Sequence, residues 1–295
     1  MNDFFKKIRY FGEAIIVKLS LKFFTILGPQ KASDVASLLA RMVGKIHPTH
    51  KLAMQNLGKA LPNLSATEKD QILEDMWDNL GRVVGEYAHV VKATPAELME
   101  KYVTVDRATR ANLDFIKQNK KGGIFFSGHL GNWEIGPKIF MHEGFEVSTV
   151  YRPLNNPYVE KMTASIRGSK LIPKGTQGSR QIIEALKKGE YILIMADQKI
   201  SEGAPIKFFH EMAITATAIA RIAIKYDVPL IPVRSIRLEH SFKFMAEIER
   251  PLAFQKTNDI NKDVADLTRL VNCKLEEWIT EFPSQWFWVH DRWKK

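Results

Sequence analysis

The chain has 295 residues, 45% of them hydrophobic and 26% charged, a balance that allows a sizeable core and excludes a disordered or low-complexity chain. Its 43 Lys and Arg outnumber 33 Asp and Glu, for a formal net charge of +10, which favours an anionic partner such as a membrane surface, a nucleic acid or an acidic protein. Cys273 is the only cysteine, so an intrachain disulfide and a multi-cysteine zinc site are both excluded, and a reducing compartment is expected.

Residues 1–28, MNDFFKKIRYFGEAIIVKLSLKFFTILG, read as one helix. No uncharged run approaches the roughly 18 apolar residues of a simple span, and no small-residue cleavage site follows a short apolar core, so neither a spanning helix nor a removed signal peptide is expected. At about 100° per residue, Ile8, Ile15, Leu19, Phe23 and Ile26 gather on an apolar face beside Lys7, Lys18 and Lys22. With Phe4, Phe5, Lys6 and Arg9 at its start, the segment suits a membrane interface. The competing expectation is that its apolar face packs on the rest of the protein.

Residues 30 to about 120 carry three-to-four-residue apolar spacing in KASDVASLLARMVGKI, HKLAMQNLGKAL and SATEKDQILEDMWDNLGRVVGEYAHVV, with no convincing strand. Ser65 and Glu68 form the S-x-x-E signature that opens the third of these helices. Beyond residue 120 the pattern alternates. Strands are expected at GGIFFS (122–127), FEVSTVY (145–151), SKLIPK (169–174), YILIMAD (191–197), PLIPVRSIR (229–237) and KFMAEIE (243–249), with helical patterns between most of them. The fold class is therefore α/β, a sheet flanked by helices, preceded by a helical part and the interfacial helix: residues 1–28 as anchor and 29–295 as one domain. Cys273, in the helical pattern VNCKLEEWI, is expected to pack as a small hydrophobe.

The stretch SGHLGNWEIG (127–136) is the most informative. An i to i+5 pair on one continuous helix lies about 140° apart, so His129 and Glu134 come together only if the chain turns between them. Gly131 permits the turn, and Asn132 is a favoured N-cap that puts Trp133 and Glu134 in a first helical turn. His129 then stands at the carboxyl end of the strand GGIFFS, where open α/β sheets bind their ligands. A histidine suits proton abstraction near neutral pH, and a neighbouring carboxylate can fix its tautomer. Spacing alone also fits an ordinary loop histidine and a dipole-favoured glutamate.

Three more strand ends reach the same edge. YRPLNNP places Arg152 there, SKLIPKG places Lys174, and MADQK places Asp197 and Gln198. Arginine and lysine at such positions hold phosphate or carboxylate, or are simply solvated. Rival chemistries lack their patterns. A zinc site of His129, Glu134 and His142 misses the H-E-x-x-H spacing, Ser127 has no G-x-S-x-G elbow, and KGTQGSR (174–180) has no Walker ending. Trp286, Trp288 and Trp293 beside Arg292 and Lys294 fit base stacking on composition, but fit packing of the chain end better.

Taken together, H-x4-E in SGHLGNWE, the YRPLNNP segment, the stretch from ADQK through FF to Ala220, and the terminal PSQWFWVHDRWKK resemble the lipid A biosynthesis acyltransferases, within the wider H-x4-D/E glycerolipid-type acyltransferase group. The likeness runs over nearly the whole chain in the same order. It implies an enzyme at the cytoplasmic face of the inner membrane of a Gram-negative bacterium, moving a fatty acyl chain from acyl carrier protein to a lipid A precursor. It implies neither metal nor organic cofactor, and no nucleic-acid partner. His129 falls on the family's base and Glu134 on the carboxylate that polarises it. Arg152, Arg167 and Lys174 are candidates for anchoring acidic groups of acceptor or donor, and Asp197 and Gln198 match a family segment, as substrate-binding residues or as residues that shape the site. Related acceptors, a mannosylated phosphatidylinositol or a lysophospholipid, fit the same residues, as does a non-catalytic membrane-binding protein. FFHEMAIT departs from the pattern, with His210 and Glu211 where the family often has a glycine-containing turn.

Overall fold

The computed structural model describes residues 3–118, 121–166, 169–200 and 203–294. Its helices are α1 (Asp3–Leu27), α2 (Pro29–Gly44), α3 (Thr49–Ala60), α4 (Ala66–Lys92), α5 (Pro95–Tyr102), α6 (Arg107–Lys117), α7 (Gly136–His142), α8 (Pro157–Ile166), α9 (Thr176–Lys187), α10 (Ala218–Tyr226) and α11 (Ile260–Glu281). Its strands are β1 (Val103–Val105), β2 (Gly123–Ser127), β3 (Val147–Tyr151), β4 (Lys170–Pro173), β5 (Tyr191–Met195), β6 (Ala204–Phe208), β7 (Glu211–Thr215), β8 (Leu230–Arg237) and β9 (Phe244–Ile248).

Seven strands form one sheet in the order β1-β9-β8-β2-β5-β3-β4. Neighbours are parallel except β8 and β9, which pair antiparallel. Strands buried on both faces read as continuous apolar runs, because alternate residues face opposite helical layers. In β2, Phe125 packs with α5, α6 and α7 on one face, while Ile124 and Phe126 join α9, α10 and α11 on the other. All six strands expected from the sequence are present. The short β1 and the hairpin β6–β7 are additions: three residues are too few for a period to register, and β1 forms by tertiary pairing with β9.

The hairpin turns tightly at Phe209 and His210, with Phe209 in the left-handed region at φ 54°. Glycine is the usual solution there. Here Phe209 is held instead by packing beside Phe208 and Trp293.

Ser65 caps α4 through a complete capping box with Glu68. The C-terminal segment folds back over the sheet edge. Trp286, Trp288 and Trp293 are buried, and Arg292 is fully enclosed, donating to Ile214 O and Thr215 Oγ1 over the Phe208 ring. Burial lowers the Arg292 pKa to about 10. Cys273 departs from expectation: it lies on the exposed side of α11, whose buried stripe runs through Leu267, Val271, Leu275 and Trp278.

Helix α1 rests on α4 and α8. Phe24 is its buried anchor, its carbonyl oxygen pairs with the His89 ring, and Asn156 donates to Tyr10 O. Ile8, Ile15, Leu19, Phe23 and Ile26 are all exposed, so the apolar face does not pack against the protein. Among the described residues no helix is long and apolar enough to cross a membrane.

Candidate active site

The site is set by strand register. Strands β2 and β5 are parallel neighbours with Ser127 opposite Met195, so His129 and Asp197, each two residues beyond its strand, meet over the sheet edge. The chain leaves β2 toward β3 and leaves β5 toward β8, which stand on opposite sides of this pair. A crevice therefore opens at the switch point, as open α/β sheets place their ligand sites.

His129 Nδ1 lies 2.8 Å from Asp197 Oδ1, and the His129 backbone N–H donates to Asp197 Oδ2 at 2.9 Å. Asp197 is 1% exposed. Burial pushes its pKa up, but the bonds it accepts from His129 and Trp286 more than offset this and hold the carboxyl well below its ordinary range. An ionised carboxylate only accepts, so Nδ1 carries the proton and Nε2 is the nitrogen left for chemistry. The ring is held edge-on by Trp133, at 5.0 Å between centroids, with Phe287 at 6.1 Å.

The turn forms as its residues dictate. Gly131 adopts φ 54°, where a Cβ would meet Ser235 O at 2.2 Å. Asn132 caps the Trp133–Ile135 turn by accepting the Glu134 N–H at 3.2 Å. His129 and Glu134 thereby reach one cavity of about 200 Å³, whose wall also includes Trp133, Arg152, Lys174 and Gln198. A larger cavity of about 640 Å³ on the other face of the sheet shares Lys174, Gln198, Val150 and Met195 with the first. Its remaining wall is largely apolar, with Ile182, Ile194, Ile219 and Val271.

Desolvation lowers the pKa of Lys174, reinforced by Arg152 and opposed by Asp197. Lys138, one turn beyond Glu134 on α7, is buried and donates to Val91 O and Ala93 O at the end of α4. Desolvation also lowers its pKa.

Of the residues singled out from sequence, His129, Glu134, Arg152, Lys174 and Gln198 share the cavity wall, and Arg167 lies outside the described residues. Asp197 differs from its expected place among substrate-binding residues. It sits beneath the histidine with both oxygens taken by protein donors, and it, not Glu134, holds Nδ1. Sequence reading also missed Trp286, whose indole donates to Asp197 Oδ2 at 2.8 Å. The available signal was a tryptophan expected to be buried, whose N–H then needs an acceptor. His290 accepts the Lys199 N–H at 2.8 Å and so secures the loop after Asp197.

The family model described as bacterial lipid A biosynthesis acyltransferase matches residues 1–295. Two curated relatives, the lipid A biosynthesis palmitoleoyltransferase of Escherichia coli (strain K12) and a lipid A biosynthesis acyltransferase of Shigella flexneri, are each 24% identical over 251 residues, 82% of this chain and 78% of theirs. Among solved structures, that of the 1-acyl-sn-glycerophosphate acyltransferase of Thermotoga maritima covers 90% of this chain and 98% of its own at 12% identity, with a TM-score of 0.36.

Proposed function

The chain belongs to the bacterial lipid A biosynthesis acyltransferases, and from that premise we propose that it transfers a fatty acyl chain from acyl carrier protein to a hydroxyl of a lipid A precursor, with His129 as general base. The observation that carries this reading is the His129–Asp197 pair opening onto a cavity edged by Arg152 and Lys174.

A free hydroxyl is a poor nucleophile near neutral pH. His129 Nε2 takes its proton, and the oxygen attacks the thioester carbonyl. The C–S bond then breaks, and the departing sulfur recovers the proton from the imidazolium. Asp197 fixes the tautomer beforehand and stabilises the cation once formed. Glu134, the second carboxylate of the H-x4-E pair, stands on the same cavity wall as His129. A positioned base of this kind contributes roughly 10²–10⁴-fold. No step calls for a metal or an organic cofactor.

Arg152, Lys174 and Gln198 suit the acidic groups of the acceptor or of the donor's prosthetic arm, since cations held near a partly desolvated cavity bind phosphate strongly. The net charge of +10 suits an acidic carrier protein and an anionic membrane. The exposed apolar stripe of α1 suits insertion at the interface of the inner membrane's cytoplasmic face, where both substrates meet.

The test is mass spectrometry of a lipid A precursor incubated with the protein and a mixture of acyl carrier protein thioesters, with His129→Ala alongside. A gain of one acyl chain, absent in the variant, is expected and reports chain length. No gain from folded protein with any donor would overturn the acceptor assignment.

A further inference from the structure

Under the catalytic turn lies a buried ion pair that the proton-transfer chemistry does not use. Glu86 of α4 is fully buried, and Arg237, at the end of β8, is 4% exposed. Arg237 donates through Nη1 to Glu86 Oε1 and through Nη2 to Oε2, at 2.5 and 2.9 Å. Ser33 of α2 donates to Oε1 at 2.6 Å. The remaining bond to the carboxylate leads to the site: Asn132 Nδ2 donates to Oε2 at 2.8 Å.

We propose that Glu86 is a positioning residue for the acyl-transfer site, acting through Asn132 to hold the turn between His129 and Glu134. The inference rests on the function proposed above for that turn. Asn132 is itself fully buried and has a bond in each direction. Its amide nitrogen is tied to Glu86, while its Oδ1 accepts the Glu134 N–H and its backbone oxygen accepts from Ser235 Oγ. The same ion pair reaches the turn a second time, since Arg237 Nε donates to Asn79 Oδ1 and Asn79 Nδ2 donates to Gly131 O. A simple hydrophobic filler would pack α4 on the sheet as well or better, because desolvating two charges costs more than most pairs return. What the pair supplies that a filler cannot is a directional acceptor at the one point where the turn's cap must be anchored.

The test compares Asn132→Ala, Glu86→Gln, their double variant, and Ser37→Ala. Ser37 lies in the same α2–α4 interface, but its bond ends on Asp78. Three readouts are taken: hydrogen exchange of the Glu134 amide, melting temperature, and kcat and KM for acyl transfer. Asn132→Ala should speed exchange at Glu134 and lower kcat about 10–100-fold with KM little changed, the scale on which misplacing a reacting group acts. Glu86→Gln should do the same, and the double variant should lose less in kcat than the product of the two single losses, since both remove the bond between Asn132 and Glu86. Ser37→Ala should lower the melting temperature with kcat within about twofold, as expected for a bond that does not reach the site.

Unchanged Glu134 exchange in folded Asn132→Ala, additive losses in the double variant, or an equal kcat loss in Ser37→Ala would each overturn the proposal. If Glu86→Gln fails to fold, Asn132→Ala against Ser37→Ala still decides it. The exchange readout needs no substrate, so a wild-type chain inactive on lipid A precursor would overturn the acceptor assignment while leaving this inference to stand or fall on exchange.

Discussion

Trp286 donates its indole N–H to Asp197 Oδ2 at 2.8 Å, the same oxygen that receives the His129 backbone N–H at 2.9 Å. The C-terminal segment is thus wired to His129 through one buried carboxylate, and the tryptophan-rich end supports the candidate site.

Replacing Asp197 by Asn offers Nδ1 an amide that can donate or accept, so the histidine loses its fixed tautomer. Steady-state kinetics of Asp197→Asn should show kcat reduced by about 10³–10⁴, the scale seen when a histidine's orienting carboxylate becomes an amide. Trp286→Phe keeps the ring and removes one donor to the carboxylate; a several-fold loss in kcat and about 1–2 kcal/mol of stability are expected. Wild-type kcat in folded Asp197→Asn would reject the pairing and return the orienting role to Glu134.

Acid stability should depend on Asp78. Burial works against its charge, but bonds from Arg82, Ser37 and His240 prevail and lower its pKa from 3.8 to about 2. A carboxyl depressed in the folded state stabilises above its unfolded pKa, and the contribution disappears as pH falls from about 4 to about 2. A depression of this size corresponds to a few kcal/mol; discounted for screening where Asp34 and His240 reach solvent, about 1–2 kcal/mol remains. Denaturant unfolding of Asp78→Asn should be less stable than wild type at pH 6, with the gap closing toward pH 2. A gap constant with pH would show that the network does not hold the carboxyl down.

Much of this was legible in the sequence, for physical reasons that differ by element. The strand GGIFFS, the cap at Asn132 and the capping box at Ser65 each depend on a local code, and each stands where that code puts it. The bond between His129 and Asp197 was hidden, because 68 residues separate them and only the register of β2 against β5 brings them together. Spacing favoured Glu134 since it is near in sequence, whereas parallel pairing selects partners remote in sequence. Glu86 was less visible still: inside the apolar rhythm of α4 it reads as one polar residue of a helix, and its buried partners come from α2, β8 and the turn.

The interfacial role proposed for α1 predicts that membrane attachment depends on its exposed stripe. Ile16 and Leu19 are 66% and 61% exposed, so Ile16→Asp with Leu19→Asp should leave the melting temperature within about 2 °C of wild type, as surface changes usually do. Each charge placed at an apolar interface position costs on the order of 1–3 kcal/mol. Co-sedimentation with vesicles of anionic phospholipid should therefore fall at least tenfold. Undiminished sedimentation of the double variant would locate the membrane contact elsewhere.

The turn at Gly131 gives a final test of how tightly the site is built. At φ 54° an alanine incurs left-handed strain of roughly 1–2 kcal/mol, and its Cβ would also stand 2.2 Å from Ser235 O, a backbone atom held by strand pairing. Gly144, at φ 80°, has the same kind of backbone strain with nothing within 4 Å of a Cβ. Gly144→Ala should then cost only about 1 kcal/mol and leave kcat within twofold, since it ends α7 away from the cavity. Gly131→Ala must displace the turn, and should cost about 3 kcal/mol or more while lowering kcat at least tenfold, because His129 and Glu134 flank the displaced residue. Equal stability losses in the two variants would mean that the approach of Gly131 to β8 is loose, and that the turn is held by its side-chain bonds alone.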